Sequence, residues 1–200
     1  MAVAEALRTY GGVNGAQRRA DRRAQLLAAA LELLGSPGGE LTVRGACRVA
    51  RVATRYFYES FADRDALAAA VYDQVVAEVG AAAAAAVDHP GTPHVERVRA
   101  GVGAIVAVLA DDPRKGRVLF GPEHAARHGE TARLFVRLFV ERQRGPDDLV
   151  ATFAVGGLGR VLEAWLVGDL DAPREHVVQR CAALLVAAQR APGEGFAPGT

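Results

Sequence analysis

Apolar residues recur at three- and four-residue intervals along most of this 200-residue chain, and short clusters of Gly and Pro interrupt the pattern. This period matches the turn of an α-helix, so each apolar stripe predicts a helix with one face toward a core. We find no alternation of the kind that marks half-buried β-strands, and no internal repeat. The sequence therefore predicts an all-α fold of about nine helices, with breaks such as 35–39 and 89–93 between them.

The composition and the cysteines limit the classes of protein that this chain can form. Half of the residues are hydrophobic and 24% are charged, which favours a folded domain over disorder. Cys47 and Cys181 have no CxxC or CxxH neighbour, so we expect two buried thiols in a reducing compartment. With no apolar run near the roughly 18 residues of a membrane span and no signal-peptide core, we expect a cytoplasmic protein without a membrane partner.

Charge is distributed unevenly along the chain. Residues 1–64 carry ten Arg against six acids, whereas residues 65–200 carry 14 Lys and Arg against 17 acids. The small net charge of +1 hides this asymmetry. A basic N-terminal part joined to a mildly acidic remainder indicates a polyanionic partner at one end only.

Two short helical segments in the basic part have the spacing of a helix-turn-helix. Thr42 suits the N-cap of a helix over 43–50, and a second segment over 54–61 begins at Thr54 about three residues after the first one ends. Asp63 then suits the cap of a long helix. Spacing alone is weak evidence, because many helical proteins contain such a pair.

The side chains on these segments make a DNA-binding role more specific. Arg55, Tyr56 and Tyr58 give charged and hydrogen-bonding tips to an element short enough to enter a major groove. We expect Phe57 and Phe61 to be core residues, since apolar tips do not bind phosphate. Further donors for phosphate surround the second segment: Arg44, Arg48 and Arg51.

Residues 18–75 resemble the N-terminal signature of the tetracycline-repressor (TetR) family. The matching motifs are Thr42-Val43-Arg44, Ala50-Arg51-Val52-Ala53, Tyr56-Phe57-Tyr58-Glu59-Ser60-Phe61 and Asp63-Arg64-Asp65-Ala66-Leu67. The resemblance implies that Tyr58 and Arg64 contact DNA phosphates. It implies a DNA-binding set of Thr42, Arg44, Thr54, Arg55, Tyr56, Tyr58 and Arg64. The chain departs from the family pattern at Arg51, where Gly is usual, and at Ala53, where Ser or Thr is usual, so we expect Thr54 to act as the cap.

The same resemblance implies a domain organisation. We expect a flexible arm over 1–16, a three-helix DNA-binding domain over 17–62, a six-helix ligand-binding and dimerisation domain over 63–191, and a flexible tail over 192–200. The implied protein is a homodimer through its last two helices, over 149–167 and 174–190. It would be a repressor released from a palindromic operator by a small molecule.

The effector pocket implied by the family lies in the C-terminal domain. Its candidate residues are Tyr72, Phe120, His124, Phe135, Phe139 and Trp165, each of which can equally be plain core. A domain rich in Val, Leu and Phe favours an apolar or amphipathic effector.

Two other classes of protein, a helical enzyme and a helical interaction module without DNA binding, stay open as alternatives. His124 and His128 have the i, i+4 spacing of a zinc helix, with Glu123 beside them, but no further ligand follows, so we predict no metal and no cofactor. No nucleophile–base set or phosphate-binding loop is found, so we predict no enzyme activity. Gly156, Gly157 and Gly159 lie in an apolar helical run and indicate close helix packing.

Overall fold

The computed structural model describes the backbone of residues 15–88, 90–143 and 148–190, and their side chains except those of residues 138–143, 148 and 190. Within these ranges the chain forms nine α-helices, one short 3-10 helix and no strand, which confirms the predicted all-α fold. Most of the predicted arm, residues 1–14, and all of the predicted tail lie outside the described residues. The arm prediction is wrong for Gly15 and Ala16, because the first helix already includes them.

The helices are α1 (Gly15–Gly35), α2 (Val43–Ala50), α3 (Thr54–Tyr58), α4 (Arg64–Val87), α5 (His94–Asp111), α6 (Pro113–Phe120), the 3-10 helix (Pro122–His124), α7 (Ala125–Gln143), α8 (Asp148–Val167) and α9 (Arg174–Arg190). The chain divides into two compact units, and the division falls within α4, between Asp73 and Gln74.

The first unit packs α1, α2, α3 and the beginning of α4 around a small core. Phe57 of α3 is fully buried, and Phe61 is 6% exposed with its ring centroid 5.9 Å from that of Phe57. Both residues are therefore core, as predicted. The other large apolar side chains of this core are Leu26, Leu41, Val52, Leu67 and Val71.

The turn that follows α1 favours glycine at two positions. Gly38 has φ +68°, in the left-handed region. A Cβ on Gly39 would lie 1.9 Å from the backbone oxygen of Leu33, and the Gly39 N–H donates to the Ser36 carbonyl at 3.0 Å. The predicted break after the first helix is thus fixed by backbone contacts.

The second unit is built around α5, which packs against α9 and α6, while α8 packs against α7, α9 and α6. Val98, Val102, Val106 and Leu109 form the buried stripe of α5. Val95, near the beginning of the same helix, is instead 44% exposed. The buried residues of α9 are Val177, Val178, Cys181, Ala182, Leu185 and Val186.

Two helices are long and apolar enough to cross a membrane by length and composition alone, contrary to the expectation from the sequence. They are α4 and the stretch Leu149–Val167 of α8. Core helices of soluble proteins pass the same test. Val71, Val75 and Val79 of α4 are buried, and 28% of the most apolar 18-residue window of α4 is buried, against 17% of that of α8.

Candidate nucleic-acid interface

Helix α2 begins as the sequence predicts and ends in a strained residue. Thr42 has extended backbone angles, and its Oγ1 accepts a hydrogen bond from the Gly45 N–H at 2.9 Å, as an N-cap does. Arg51 ends the helix with φ 55° and ψ 37°, in the left-handed region. Its N–H donates to the Arg48 carbonyl at 3.3 Å, and the next N–H donates to the Cys47 carbonyl at 3.0 Å. An arginine therefore takes the backbone conformation for which the TetR pattern has glycine.

Helix α3 starts without a side-chain cap. The residue at the cap position is Ala53, and no side chain bonds to the first free N–H groups there. The prediction that Thr54 takes over the cap is wrong, because Thr54 is the first residue of the helix itself. The helix also ends at Tyr58, short of the predicted residue 61. The N–H groups of Ser60 and Phe61 both turn back to the Phe57 carbonyl, each at 2.9 Å.

Among the aromatic side chains described in the first unit, Tyr58 is the most exposed. It is 60% exposed, although its ring rests edge-on against Phe57 with a centroid distance of 5.3 Å. The buried neighbour fixes the ring while most of its surface reaches solvent. Such a side chain suits a hydroxyl contact to phosphate.

Arg55 and Tyr56 pair with each other, and Tyr56 also contacts an arginine of another helix. Nη2 of Arg55 donates to the Tyr56 hydroxyl at 2.7 Å, and its Cζ lies 4.6 Å from the centre of the Tyr56 ring. Arg22 of α1 also lies over this ring, with its Cζ 4.1 Å from the centre. Nη2 of Arg22 is 3.4 Å from Oε2 of Glu59, so the two form an ion pair. We call Arg22, Arg55, Tyr56 and Glu59 the arginine–tyrosine cluster.

The sequence predicted two members of this cluster, Arg55 and Tyr56, as DNA-binding residues. The sequence analysis did not predict Glu59 as part of the site, although an acidic residue stands out in so basic a segment. Each cation lying over an aromatic ring contributes about 0.5–1 kcal/mol at an exposed site. The cluster therefore ties α1 to the proposed reading helix by side-chain contacts.

The remaining predicted DNA-binding residues also lie in the first unit. Thr42 and Arg44 are exposed at the beginning of α2, and Thr54 is exposed at the beginning of α3. Arg64 begins α4, with its side chain 40% exposed, and its Nε donates to Oδ1 of Asp65 at 2.8 Å. The carboxylate of Asp63 accepts the Ala66 N–H at 2.7 Å, which confirms the predicted cap of this helix.

The predicted ligand-binding residues differ in burial. Tyr72 and His124 are 1% and 4% exposed, whereas Phe120, Phe135 and Trp165 are half-buried. The side chain of Phe139, on α7, lies outside the described residues. The indole N–H of Trp165 donates to the Ala172 carbonyl at 2.9 Å, so its polar atom is already used within the fold. Within the described residues, no group of three His, Cys, Asp or Glu side chains is placed to hold a metal ion.

No protein-family model matches the sequence, and no curated protein sequence is significantly similar to it. The fold does match solved structures. A TetR-family regulator from Syntrophomonas wolfei, described as putative in its own name, has a TM-score of 0.69 at 13% identity, with 88% of this chain and 99% of that chain covered. A fatty acid degradation regulator from Bacillus halodurans has a TM-score of 0.67 at 19% identity, with 82% and 94% covered.

A TetR family transcription regulator from Marinobacter aquaeolei gives a similar result. Its TM-score is 0.63 at 19% identity, and the match covers 86% of this chain and 97% of that one. These similarities extend over both units of the chain, beyond the N-terminal motifs. The resemblance found in the sequence is thereby confirmed at the level of architecture, and the chain has the fold of TetR-family transcriptional regulators.

Proposed function

We propose that this protein is a sequence-specific DNA-binding transcription regulator that acts in the cytoplasm as a repressor and is released from a palindromic operator by a small molecule. The observation that carries the proposal is the α2–turn–α3 pair, whose second helix presents Arg55 and the exposed Tyr58 in the basic part of the chain. In this proposal residues 17–62 form the DNA-binding domain, and residues 63–191 form the ligand-binding and dimerisation domain.

A mobility-shift series on the DNA beside the protein's own gene tests the proposal. We expect preference for a palindromic duplex over a scrambled one, with log affinity falling as log salt rises. Tyr58→Phe removes one hydroxyl and should lower affinity about fivefold, equivalent to about 1 kcal/mol, and Arg64→Ala should also weaken binding. Arg99→Ala, which removes an exposed arginine of α5, is the matched control.

Equal binding to all duplexes at every salt concentration would refute sequence-specific recognition. The two alternatives that would then remain are a helical enzyme and a helical interaction module without DNA binding.

The exposed apolar face of α8 and α9 supports a homodimer. Leu149, Phe153 and Val167 on α8 are 76%, 74% and 65% exposed, and Leu184 on α9 is 67% exposed. A Cβ on Gly156, Gly157 or Gly159 would meet no atom within 4 Å among the described residues outside the backbone of its own helix. These glycines therefore do not serve close packing against the described part of the chain, and they leave room for a second backbone. We propose that α8 and α9 pack against their two-fold mates as a four-helix bundle.

Sedimentation at micromolar protein concentration tests the dimer. We expect a dimer for the unmodified protein and a shift toward monomer for Phe153→Glu and Leu184→Glu, because each places a charge in the proposed apolar interface. Val95→Glu, at a 44% exposed position of α5, should leave the dimer intact. A monomer for the unmodified protein would contradict the proposed interface.

The effector in this proposal is apolar or amphipathic and binds in the second unit, among Phe120, His124, Phe135, Phe139 and Trp165. The ligand would bind one conformation of the ligand-binding and dimerisation domain better than another. It would thereby change the separation of the two DNA-binding domains of the dimer. Trp165 is the only tryptophan in the chain, so its fluorescence reports nearby binding. Because its N–H is bonded to Ala172, we expect it to offer a ligand only its ring.

A panel of fatty acids and aromatic amphiphiles, screened for release of DNA, identifies the effector. We expect Trp165 emission to change over the same concentration range as DNA release. An effector that leaves this emission unchanged, and whose action survives Trp165→Phe and Phe139→Ala, would show that the pocket lies elsewhere.

A further inference from the structure

The arginine–tyrosine cluster places a carboxylate where a DNA-binding surface otherwise carries donors for phosphate. Glu59 directly follows α3, and its Oε2 lies 3.4 Å from Nη2 of Arg22. The two side chains are 44% and 23% exposed, so neither is sealed in the core. A carboxylate oxygen and a phosphate oxygen are equivalent acceptors for a guanidinium group. Glu59 therefore competes with any phosphate that approaches Arg22.

Tyr56 fixes the position of the guanidinium group in this competition. Arg22 lies over its ring at 4.1 Å, and the ring is itself held by the 2.7 Å hydrogen bond from Arg55 to its hydroxyl. Because a guanidinium group is planar, its face can stay on the ring while its edge exchanges one acceptor for another. Arg22 belongs to α1, yet these contacts hold it beside the reading helix.

We propose that Arg22 contacts DNA, and that its exchange between Glu59 and a backbone phosphate sets the discrimination between the operator and other DNA. On non-specific DNA, where phosphate contacts supply nearly all of the affinity, Glu59 retains Arg22 and keeps binding weak. On the operator, contacts of α3 to base edges fix the register of the phosphates, and Arg22 transfers to one of them. This inference rests on the proposed function, since it requires that α3 faces DNA.

Glu59→Gln tests the exchange, because it removes the charge and keeps the size of the side chain. The probes are a scrambled duplex and a duplex that the unmodified protein selects from a random library. We expect affinity for the scrambled duplex to rise at least about threefold, with a log–log salt slope steeper by about 0.9, the value for one more neutralised phosphate. Affinity for the selected duplex should rise less, so the ratio of the two affinities falls.

Two controls separate this exchange from a general effect of charge. Asp21→Asn removes the same charge beside Arg22 on α1, but Asp21 accepts a hydrogen bond from Gln17 at 2.9 Å, so we expect the salt slope to stay unchanged. In an Arg22→Ala background, Glu59→Gln should have no effect on the slope. Arg22→Gln takes its place if circular dichroism shows that Arg22→Ala does not fold.

An unchanged slope for Glu59→Gln, or an equal change for Asp21→Asn or in the Arg22→Ala background, would overturn the inference. The unmodified protein alone tests the proposed function, through its preference for the selected duplex. If the unmodified protein shows no such preference, the proposed function is refuted. Failure of the proposed function can therefore be told apart from failure of the exchange between Glu59 and phosphate.

Discussion

Replacing Arg51 with glycine should stabilise the protein, although it removes a charged side chain. Arg51 has φ 55° and ψ 37°, and no other non-glycine residue in the described ranges has a positive φ. In this region the Cβ of an L-residue crowds the following carbonyl oxygen, at a cost of about 1–2 kcal/mol. Glycine has no Cβ, and it retains the hydrogen bonds to the Arg48 and Cys47 carbonyls that end α2.

The gain is partly offset in the unfolded chain. Glycine adds conformational freedom there, and this lowers the free energy of unfolding by about 0.4–1 kcal/mol. The side chain of Arg51 is exposed, so its loss removes little packing. The expected net stabilisation from Arg51→Gly is about 0.5–1 kcal/mol, which corresponds to a rise in Tm of about 1–4 °C for a chain of this length.

Urea and thermal unfolding measure this difference, at equal protomer concentration because a dimer's stability depends on concentration. The matched variant is Arg51→Ala, which removes the same charge but keeps the Cβ and therefore the strain. We expect it to be no more stable than the unmodified protein. If Arg51→Gly is no more stable than Arg51→Ala, the left-handed backbone carries no strain and the reasoning fails.

Three further variants test local structure in the second unit. Gly121→Ala should destabilise the protein by about 1–3 kcal/mol, because its Cβ would lie 2.4 Å from the backbone oxygen of Arg117. Gly129→Ala, whose Cβ would meet no atom of the described residues within 4 Å outside the backbone of its own helix, should instead stabilise α7 by about 0.5–1 kcal/mol. Equal urea midpoints for these two variants would refute the contrast. Asp112→Ala should cost about 1 kcal/mol at neutral pH, because Asp112 caps α6 and accepts from the Arg114 N–H at 3.2 Å. The Arg114 guanidinium lowers the pKa of Asp112 below its ordinary value, so its contribution is fully present above about pH 4 and is lost as pH falls through the folded-state pKa. The stability difference between Asp112→Ala and the unmodified protein should therefore shrink below pH 4, and a difference that is constant with pH would contradict this role.

The boundaries of the helix-turn-helix were predictable where single side chains set them. The predicted helix over 43–50 matches α2, because Thr42 caps its beginning. The end of α3 was predicted three residues too late. That end depends on the Phe57 carbonyl, which accepts from the N–H groups of both Ser60 and Phe61. No side chain of this segment signals such a backbone turn in advance.

The contacts of the candidate site were less predictable than its residues. The sequence places exposed cationic and aromatic residues on α3, and the structure agrees. It gives no indication that Arg22 pairs with Glu59, 37 positions away, because that contact depends on how α1 packs near α3. The same limit explains why Tyr56 was predicted as a free reading side chain, whereas its ring and hydroxyl both have partners.

In the second unit, the apolar pattern predicts helices but does not by itself identify the partner of each face. Leu184 is 67% exposed, while the adjacent Leu185 is 8% exposed. Both contribute equally to the hydrophobic pattern of α9. An apolar face toward the core and an apolar face toward a second chain have the same composition, so only the packed fold separates them.

In the first unit, two helix ends lack the residue types usual there, and both lie in the turn between α2 and α3. Thr42 and Asp63 cap α2 and α4 in the usual way, whereas the turn between α2 and α3 contains a left-handed Arg51 and an Ala53 that cannot cap. Local rules tend to be broken where function requires it, and this turn lies on the proposed DNA surface. An arginine there adds a phosphate donor that glycine lacks. Arg51→Gly and Arg51→Ala should therefore weaken DNA binding to the same extent, while only Arg51→Gly raises stability. If Arg51→Gly keeps full affinity for DNA, the Arg51 side chain does not contribute to binding. A role in DNA binding would then not explain the strained backbone at this turn.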